Sequence, residues 1–320
     1  MIARFAIPFF VLMGVIVAPL LVALLCRIFL PRRFRKWAII ACTLLIWGIL
    51  AYGHFVSFEE LEIRQIEYAS SDLPASFDGY RIVHFSDAHL GTLTGRRQWM
   101  VQRMVDSINA LRPDVIVFTG DLQNIYPDEL PPHIPVLRQL HAKDGVFSVL
   151  GNHDYDIYQS CDDAQKKKNC QLTIEAERKA GWQLLLNEHR WLYRGGDSIC
   201  LAGMENRGVA KRMPRLGDVR QTLEGVSDSA FVVMLQHDPS SWREQILPEC
   251  QAQLTLSGHT HGGQAQLFGW SPVELNYSEW GGMTYEGSRA IYVSTGVGAL
   301  IPFRLNQTGE IAVITLKKCK

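Results

Sequence analysis

The amino-terminal part of the chain is dominated by two apolar runs separated by a short basic segment. Ala6–Cys26 is almost wholly apolar, and Trp37–Tyr52 is a shorter run without a charged residue. A helix needs roughly 20 apolar residues to cross a bilayer, or somewhat fewer where flanking side chains reach the interface. Pro31 lies between the runs and is expected to break the helix there. The pattern predicts a transmembrane helical hairpin anchor over residues 1–55, followed by one domain over residues 56–320.

The basic residues of this hairpin lie almost entirely between its two apolar runs. Five Lys and Arg residues fall within Arg27–Lys36, whereas Arg4 is the only one before the first run. Basic loops stay in the cytoplasm, so we expect two spans of a cell inner membrane with the following domain periplasmic or otherwise extracytoplasmic. A cleavable signal peptide is the alternative. The first run is too long for one, and no small-residue cleavage site precedes the basic cluster.

Beyond residue 56, short apolar runs alternate with longer helical patterns. Short runs that are rich in Val and Ile and bounded by Gly are typical of buried strands. Five such runs are Tyr80–Phe85, Val115–Thr119, Gly145–Leu150, Phe231–Leu235 and Gln251–Leu256. The helical patterns are Arg96–Leu111, Glu129–His141, Asp163–Ala180 and Pro239–Ile246. This alternation predicts an α/β fold, in which ligands bind beyond the carboxyl ends of the strands.

A polar cluster follows each of the five predicted strands. The clusters are Asp87-Ala88-His89, Gly120-Asp121, Gly151-Asn152-His153-Asp154, Gln236-His237-Asp238 and Gly258-His259-Thr260-His261-Gly262-Gly263. A single cluster of this kind is usually a turn or a capped loop, whereas five at one edge of a sheet predict a shared metal site. Carboxylates and imidazoles together suit Mn, Fe and Zn better than Ca or Mg, which prefer oxygen ligands alone.

The order of these clusters resembles that of the calcineurin-like metallophosphoesterases. Segments 86–91 and 256–264 are similar to the bacterial YaeI-type phosphodiesterase branch, and so is the closing stretch Tyr292–Gly298 with Pro302-Phe303-Arg304 after it. The resemblance covers about residues 57–318. It implies a four-layer α/β metallophosphoesterase fold, in which a β-sandwich is flanked by helices on both outer faces.

The resemblance also implies two divalent metal ions and a role for each cluster residue. The implied ligands are Asp87, His89 and His261 for one ion, Asn152, His237 and His259 for the other, and Asp121 as the bridge. His153 would act on the leaving group, and Asp154 would orient its ring; the alternative is that His153 only packs within its turn. Gln123 lies where many members of the family have an acidic residue, a position that is not a ligand.

These inferences predict a membrane-anchored phosphoesterase that hydrolyses a phosphodiester or pyrophosphate bond. The anchor favours a lipid-linked or cell-envelope phosphate as the substrate. A non-catalytic binding scaffold with the same fold and a nuclease are the alternatives. Residues 1–55 hold six Lys and Arg and no Asp or Glu, which leaves 26 basic and 32 acidic residues, a net charge of −6, in the domain. An acidic domain without a basic stripe disfavours nucleic acid as a partner.

The cysteines and one aromatic segment leave alternatives open. The seven cysteines include no C-x-x-C pair, which argues against a zinc ribbon or a thioredoxin-like site. Cys161 and Cys170 are equally consistent with a disulfide in an oxidising compartment and with two free thiols.

Phe268–Tyr285 holds five aromatic residues without regular spacing. Its rings are expected either to contact the bilayer beside the site or to pack against the sheet as part of the core. Packing in the core is the more frequent outcome for large aromatic residues.

Overall fold

A computed structural model of the protein describes residue 9 and residues 11–319, and the first two elements of this range are antiparallel helices. Helix α1 spans Leu12–Phe29, and helix α2 spans Arg32–Phe55. The predicted break at Pro31 is confirmed, since this residue lies between the two helices. Arg4, with residues 6–8 and 10 of the first predicted run, lies outside the described residues.

Both helices expose their apolar side chains rather than bury them in the domain. Only 6% of the most apolar window of each helix is buried, whereas the core helix of a soluble protein is mostly buried. Helix α2 has 24 residues, which at about 1.5 Å each reach about 36 Å and exceed the ~30 Å hydrocarbon core of a bilayer. Both helices are therefore long and apolar enough to cross a membrane.

Twelve strands and five further helices follow within the described residues. The strands are β1 Leu61–Ser70, β2 Arg81–Phe85, β3 Val115–Phe118, β4 Val146–Ser148, β5 Gln183–Leu184, β6 Glu188–Arg194, β7 Asp197–Gly203, β8 Val232–Leu235, β9 Leu254–Ser257, β10 Gly282–Glu286, β11 Arg289–Val293 and β12 Gly309–Lys318. The helices are α3 Trp99–Ala110, α4 Ile134–Leu137, α5 Asp163–Lys179, α6 Val219–Thr222 and α7 Leu247–Glu249.

The strands form two six-stranded sheets that pack face to face. Their orders are β1-β12-β2-β3-β4-β5 and β10-β11-β9-β8-β7-β6. The strands β2 to β5 are parallel to one another, and so are β7, β8, β9 and β11. Side chains alternate between the faces of each strand: Val115 and Val117 enter the core between the sheets, while Ile116 and Phe118 face the outer helices.

Helical segments cover the outer faces of both sheets. Val101 and Val105 of α3 pack into the core outside the first sheet, and Trp242 and Ile246 pack into the core outside the second. The architecture is therefore helix, sheet, sheet, helix. This confirms the predicted four-layer α/β fold preceded by two apolar helices.

One predicted helix is much shorter than its pattern suggested. Of the predicted helix Glu129–His141, only Ile134–Leu137 is a regular α-helix. Pro131, Pro132 and Pro135 lack the backbone N–H that a continuous helix requires. The segment consequently crosses the outer face of the first sheet as a series of turns.

Candidate metal centre

The predicted ligands lie on loops that leave the carboxyl ends of five strands, three in one sheet and two in the other. Asp87, Asp121 and Asn152 follow β2, β3 and β4, whereas His237 and His259 follow β8 and β9. The carboxyl ends of these strands meet at one edge of the sandwich. Loops at this edge are the expected site of ligand binding in α/β proteins.

Most of these ligand loops adopt a strained backbone conformation. Positive φ angles, which L-residues other than Asn and Asp rarely adopt, occur at five of the seven predicted ligands. The angles are 52° at Asp87, 40° at His89, 61° at Asp121, 73° at His259 and 53° at His261. Such strain persists only where surrounding contacts over-determine the structure, and it is concentrated at functional sites.

Two glycines allow the loops to approach one another closely. A Cβ atom added to Gly151 would lie 2.2 Å from Oδ1 of Asp121. A Cβ atom added to Gly258 would lie 2.2 Å from Oδ2 of Asp87. The motif glycines are therefore required because any side chain would occupy the space of a neighbouring carboxylate.

One group of potential ligands consists of Asp87, His89 and His261. Nε2 of His89 lies 3.1 Å from Nε2 of His261. Nε2 of His261 in turn lies 3.5 Å from Oδ1 of Asp87. Ligand atoms of all three residues fall within 4.8 Å of one another, and all three side chains are buried.

A second group is formed around His237. Its Nε2 atom lies 3.0 Å from Oδ1 of Asn152 and 3.2 Å from Nδ1 of His259. Asp121 lies between the two groups, with Oδ2 at 3.2 Å from Nε2 of His237 and 3.7 Å from Nε2 of His89. All seven predicted ligands are thus brought together around one carboxylate.

The spacing of these nitrogen atoms is compatible with a shared metal ion. Ligands that bind one ion at about 2.0–2.1 Å lie roughly 3–3.4 Å apart, and the ring nitrogens of His89 and His261 are at 3.1 Å. A mixture of carboxylate, amide and imidazole ligands suits Mn, Fe or Zn. The residues present therefore fit a divalent metal site.

The protonation of the imidazoles also suits metal binding, which requires deprotonated ligands. Burial lowers the pKa of His89 to about 3, and burial lowers the pKa of His259 and of His261 as well. Burial also disfavours a charged His237, but the carboxylate of Asp121 outweighs this effect and raises the pKa of that ring to about 10. A metal ion between His237 and Asp121 would take the place of this proton.

Residues 80–263 match the family model described as "Calcineurin-like phosphoesterase". The chain belongs to the calcineurin-like metallophosphoesterase family. A protein of Bacillus subtilis (strain 168), "Uncharacterized metallophosphoesterase YkuE", is 32% identical over 299 residues, which cover 89% of this chain and 97% of that protein. A Danio rerio protein, "Transmembrane protein with metallophosphoesterase domain", is 31% identical over 282 residues, which cover 86% of this chain and 62% of that protein.

Membership of this family confirms the predicted resemblance and makes the chain one of the phosphoesterase hydrolases. The clustered Asp and His side chains suggest that it binds divalent metal. Relatives described as transmembrane proteins agree with the two apolar helices and suggest membrane anchoring. The YaeI-type branch within the family stays a prediction.

Side chains and carbonyl groups outside the predicted set orient the ligands of the metallophosphoesterase centre. Nδ1–H of His237 donates to the Thr119 carbonyl at 2.6 Å, which turns Nε2 towards Asp121. Tyr158 and Tyr277 supply two further contacts. The Tyr158 hydroxyl accepts from Nδ2 of Asn152 at 3.1 Å, and the Tyr277 hydroxyl lies 2.7 Å from Nε2 of His259. Such partners hold metal ligands in one orientation, and the spacing of the motifs did not reveal them.

His153 lies beside the ligands and lines the same cleft. Its Nδ1–H donates to the carbonyl of Asn124 at 2.5 Å, which leaves Nε2 as the unprotonated nitrogen of the neutral ring. Its ring centroid lies 4.7 Å from that of His89 and 4.5 Å from that of Tyr158. Burial lowers the pKa of His153, despite the nearby carboxylate of Asp121.

The group that holds the His153 ring in the structure is the Asn124 carbonyl, whereas the prediction gave this role to Asp154. The carboxylate of Asp154 instead accepts hydrogen bonds from backbone amides of both ligand loops. These donors are the N–H groups of Gly151, Asp121, Leu122 and Gln123, at 2.8, 2.8, 2.9 and 3.3 Å. Asp154 therefore fixes the backbone that carries Asp121 rather than the imidazole beside it.

Gln123 joins the His153 loop to helix α5. Its Nε2 donates to the carbonyl of His153 at 2.7 Å, and its Oε1 accepts from the Thr173 hydroxyl at 2.8 Å. An acidic side chain at this position would have no proton to donate to the carbonyl unless it were itself protonated. Gln123, which departs from the family pattern, is thus matched by a hydrogen bond from Thr173.

Three of the five aromatic residues in the segment after the last ligand loop are exposed, and two are partly buried. Phe268 is 99% exposed, Tyr285 54% and Trp270 48%, while Tyr277 and Trp280 are partly buried. Exposed apolar side chains of this size mark contact surfaces when they cluster.

The cysteines Cys161 and Cys170 are both free, which agrees with the alternative of two free thiols rather than a disulfide.

Proposed function

We propose that the chain is a membrane-anchored phosphoesterase that uses two divalent metal ions to hydrolyse a phosphodiester or pyrophosphate bond. The observation that supports this proposal is the position of Asp121 between two groups of ligands. One ion would be held by Asp87, His89 and His261, and the other by Asn152, His237 and His259, with Asp121 as a ligand of both. Neither ion would have a closed protein shell, so substrate oxygens could bind.

The cleft over these ligands has the chemistry that a phosphate ester requires. Its volume is about 220 Å³, and Asp121, Asn152, His153 and His259 line it. When bound, two divalent ions would supply the positive charge that binds phosphoryl oxygens and the acidity that activates water. Only two of the seven proposed ligands are anionic, so the loaded site would keep a net positive charge and attract a phosphate ester.

We assign to His153 the role of protonating the leaving group. Hydrolysis adds water across a P–O bond: the water oxygen joins phosphorus, the P–O bond to the leaving group breaks, and the departing oxygen gains a proton. The Asn124 carbonyl holds Nδ1–H of His153, so Nε2 is the free nitrogen that would take up the proton released by the attacking water and pass it to the departing oxygen. Asp154 contributes by holding the amides of the Asp121 loop, not by contact with the ring.

We propose that residues 1–55 form the anchor and that residues 56–320 form the catalytic domain. The basic loop Arg27–Lys36 would lie in the cytoplasm, which places the catalytic domain outside the inner membrane. A reporter that is active only in the cytoplasm, fused after Lys320, should then give no signal. A strong signal would show that the domain faces inward.

Substrate access from the bilayer favours a lipid-linked or cell-envelope phosphate. The intact ligand set argues against the alternative of a non-catalytic scaffold, because loss of activity usually follows loss of a ligand. The net charge of −6 beyond the anchor argues against a nuclease.

A substrate screen tests the proposed function directly. The full chain, loaded with Mn in lipid nanodiscs, would be assayed on phosphomonoesters, phosphodiesters, nucleotide-sugar pyrophosphates and lipid phosphates, with bound metal measured in parallel. We expect about two ions per chain and turnover of diesters or pyrophosphates that chelators abolish. Protein that binds two ions yet turns over none of these classes would favour the scaffold.

A further inference from the structure

A second cavity lies where the two amino-terminal helices meet the metallophosphoesterase domain. Its volume is about 290 Å³, near the lower end of the about 300–1,000 Å³ that small-molecule sites occupy. Val15, Trp47 and Leu50 of the helices line one side, and Ile301 and Phe303 of the domain line the other. The indole N–H of Trp47 already donates to the carbonyl of Val15 at 3.1 Å. The walls therefore present hydrocarbon and aromatic surface.

Among the described residues that line the cavity, His54 is the one ionisable side chain, and both of its ring nitrogens have partners. Its Nδ1–H donates to the carbonyl of Pro302 at 2.7 Å. Nη2 of Arg97 lies 3.0 Å from its Nε2 and also donates to the His54 carbonyl at 2.8 Å. These bonds hold the end of helix α2 against the domain and leave the ring no role in binding a polar ligand.

The cavity belongs to a tightly fitted junction rather than to a loose contact. The carbonyl of Gly53 accepts from the backbone N–H of Arg304 at 3.1 Å. A Cβ atom added to Gly53 would lie 2.2 Å from the ring of Phe303, so only glycine permits this approach. The helices and segment 301–304 are therefore in close contact beside the cavity.

The cavity and the metal cleft share a wall. Leu300 lines the metal cleft, and the next three residues, 301–303, line the apolar cavity. Gln264 also lines the metal cleft, and its Nε2 donates to the carbonyls of Ile301 and Phe303 at 2.8 and 2.7 Å. A molecule that extends past this segment would have its polar end at the metal ligands and its apolar end between the helices.

We infer that this cavity binds one hydrocarbon chain of a membrane lipid whose phosphate group reaches the metal centre. The inference rests on the proposed function and names its substrate class, a phosphodiester or pyrophosphate that carries a long alkyl, acyl or prenyl chain. The helices that form half of the cavity are the two that are long and apolar enough to cross a membrane. A chain could thus enter from the bilayer without passing through water, which is the costly step for hydrocarbon.

The test uses two substrates that differ only in their chain. Both are p-nitrophenyl phosphodiesters, one with an ethyl group and one with a hexadecyl group as the second ester, so the bond that breaks and the leaving group are the same. Ala51 lines the cavity from helix α2, and Ala51→Trp would fill the space. Ala41→Trp is the matched control, because Ala41 is exposed on the same helix and does not line the cavity. All proteins are full chains in lipid nanodiscs.

We expect Ala51→Trp to lower kcat/KM for the hexadecyl ester by about tenfold or more, the scale of lost hydrocarbon contacts in a pocket. Turnover of the ethyl ester and the bound metal should stay at the wild-type level, and the control should alter neither substrate. Equal loss on both esters would mean that the variant disturbs the junction and the centre, and would overturn the lipid-chain site. No loss on either ester would overturn it too.

A binding measurement separates this inference from the proposed hydrolysis. A photoreactive diazirine at the end of a hexadecyl phosphate chain should crosslink to peptides that contain Trp47 or Phe303, and Ala51→Trp should abolish these crosslinks. Crosslinks without turnover of any ester would leave the lipid-chain site in place and reject the hydrolytic function. Turnover of the hexadecyl ester with crosslinks elsewhere in the chain would support the hydrolytic function and reject the lipid-chain site.

Discussion

The metal centre and the junction between anchor and domain both join residues that are far apart in the chain, but by opposite means. The metal centre gathers buried polar side chains on loops with positive φ, and each carboxylate is held by backbone amides. The junction gathers apolar side chains around one glycine and several hydrogen-bonded backbone carbonyls. Substitutions should therefore affect the centre through charge and the junction through shape.

The largest effect is expected at the carboxylate shared by the two ligand groups. Asp121→Asn removes the charge that faces both His237 and His89, so we expect loss of at least one metal ion and of activity by on the order of a thousandfold or more. Metal analysis and kinetics on the same preparation measure this. Asp228→Asn, an exposed carboxylate elsewhere, is the control and should change neither quantity. Full activity in Asp121→Asn would remove the basis of the proposed centre.

A smaller effect is expected where a side chain acts without binding metal. His153→Ala should keep the bound metal yet lower kcat by roughly a hundredfold, the usual scale for a general acid. His141→Ala, at an exposed position, serves as the matched control and should stay at the wild-type level. Loss of metal from His153→Ala would instead make this ring a ligand, since ligand atoms of His153, His89 and Asp121 lie within 4.8 Å of one another.

The contrast between the two regions also explains which features could be predicted from the sequence. The ligands could be predicted because each of the five clusters follows a short apolar strand, and three of the clusters contain glycine. The tyrosine hydroxyls that contact Asn152 and His259 could not be predicted. Tyr158 and Tyr277 come from irregular loops whose path depends on packing. The sequence likewise suggested that Asp154 orients His153, whereas in the structure the Asp154 carboxylate accepts from the backbone amides of both ligand loops.

Parts of the fold were unpredictable for a related reason. Strand β12, the last in the chain, inserts between β1 and β2 and is parallel to the first and antiparallel to the second. Pairing of strands so distant in sequence depends on the assembled core and not on a local pattern. The helix predicted over residues 129–141 failed at its prolines, a local signal that outweighed the apolar spacing.

At the junction, addition of one methyl group should be enough to disturb the contact. Gly53→Ala would place its Cβ 2.2 Å from the ring of Phe303, so we expect a destabilisation of about 1–3 kcal/mol, with a lower melting temperature of the full chain. Gly48→Ala is the matched control on the same helix, because an added Cβ there meets no atom within 4 Å. Its helix should be unchanged or more stable by about 0.5–1 kcal/mol. Equal melting temperatures for both variants would contradict the fitted junction.

The smallest effect is expected at the exposed aromatic loop, where neither charge nor close packing is at stake. Phe268 is 99% exposed, and aromatic rings favour the membrane interface. Replacement of Phe268 and Trp270 with Ser should therefore lower turnover of a membrane-presented phosphodiester a few-fold, while a short soluble diester and the melting temperature stay at wild-type values. Tyr193→Ser is the control, since Tyr193 is also exposed but lies on β6 at the far edge of the second sheet. Equal loss on both substrates with a lower melting temperature would show that these rings support the fold; selective loss would extend the membrane-facing surface from the helices to the rim of the metal cleft.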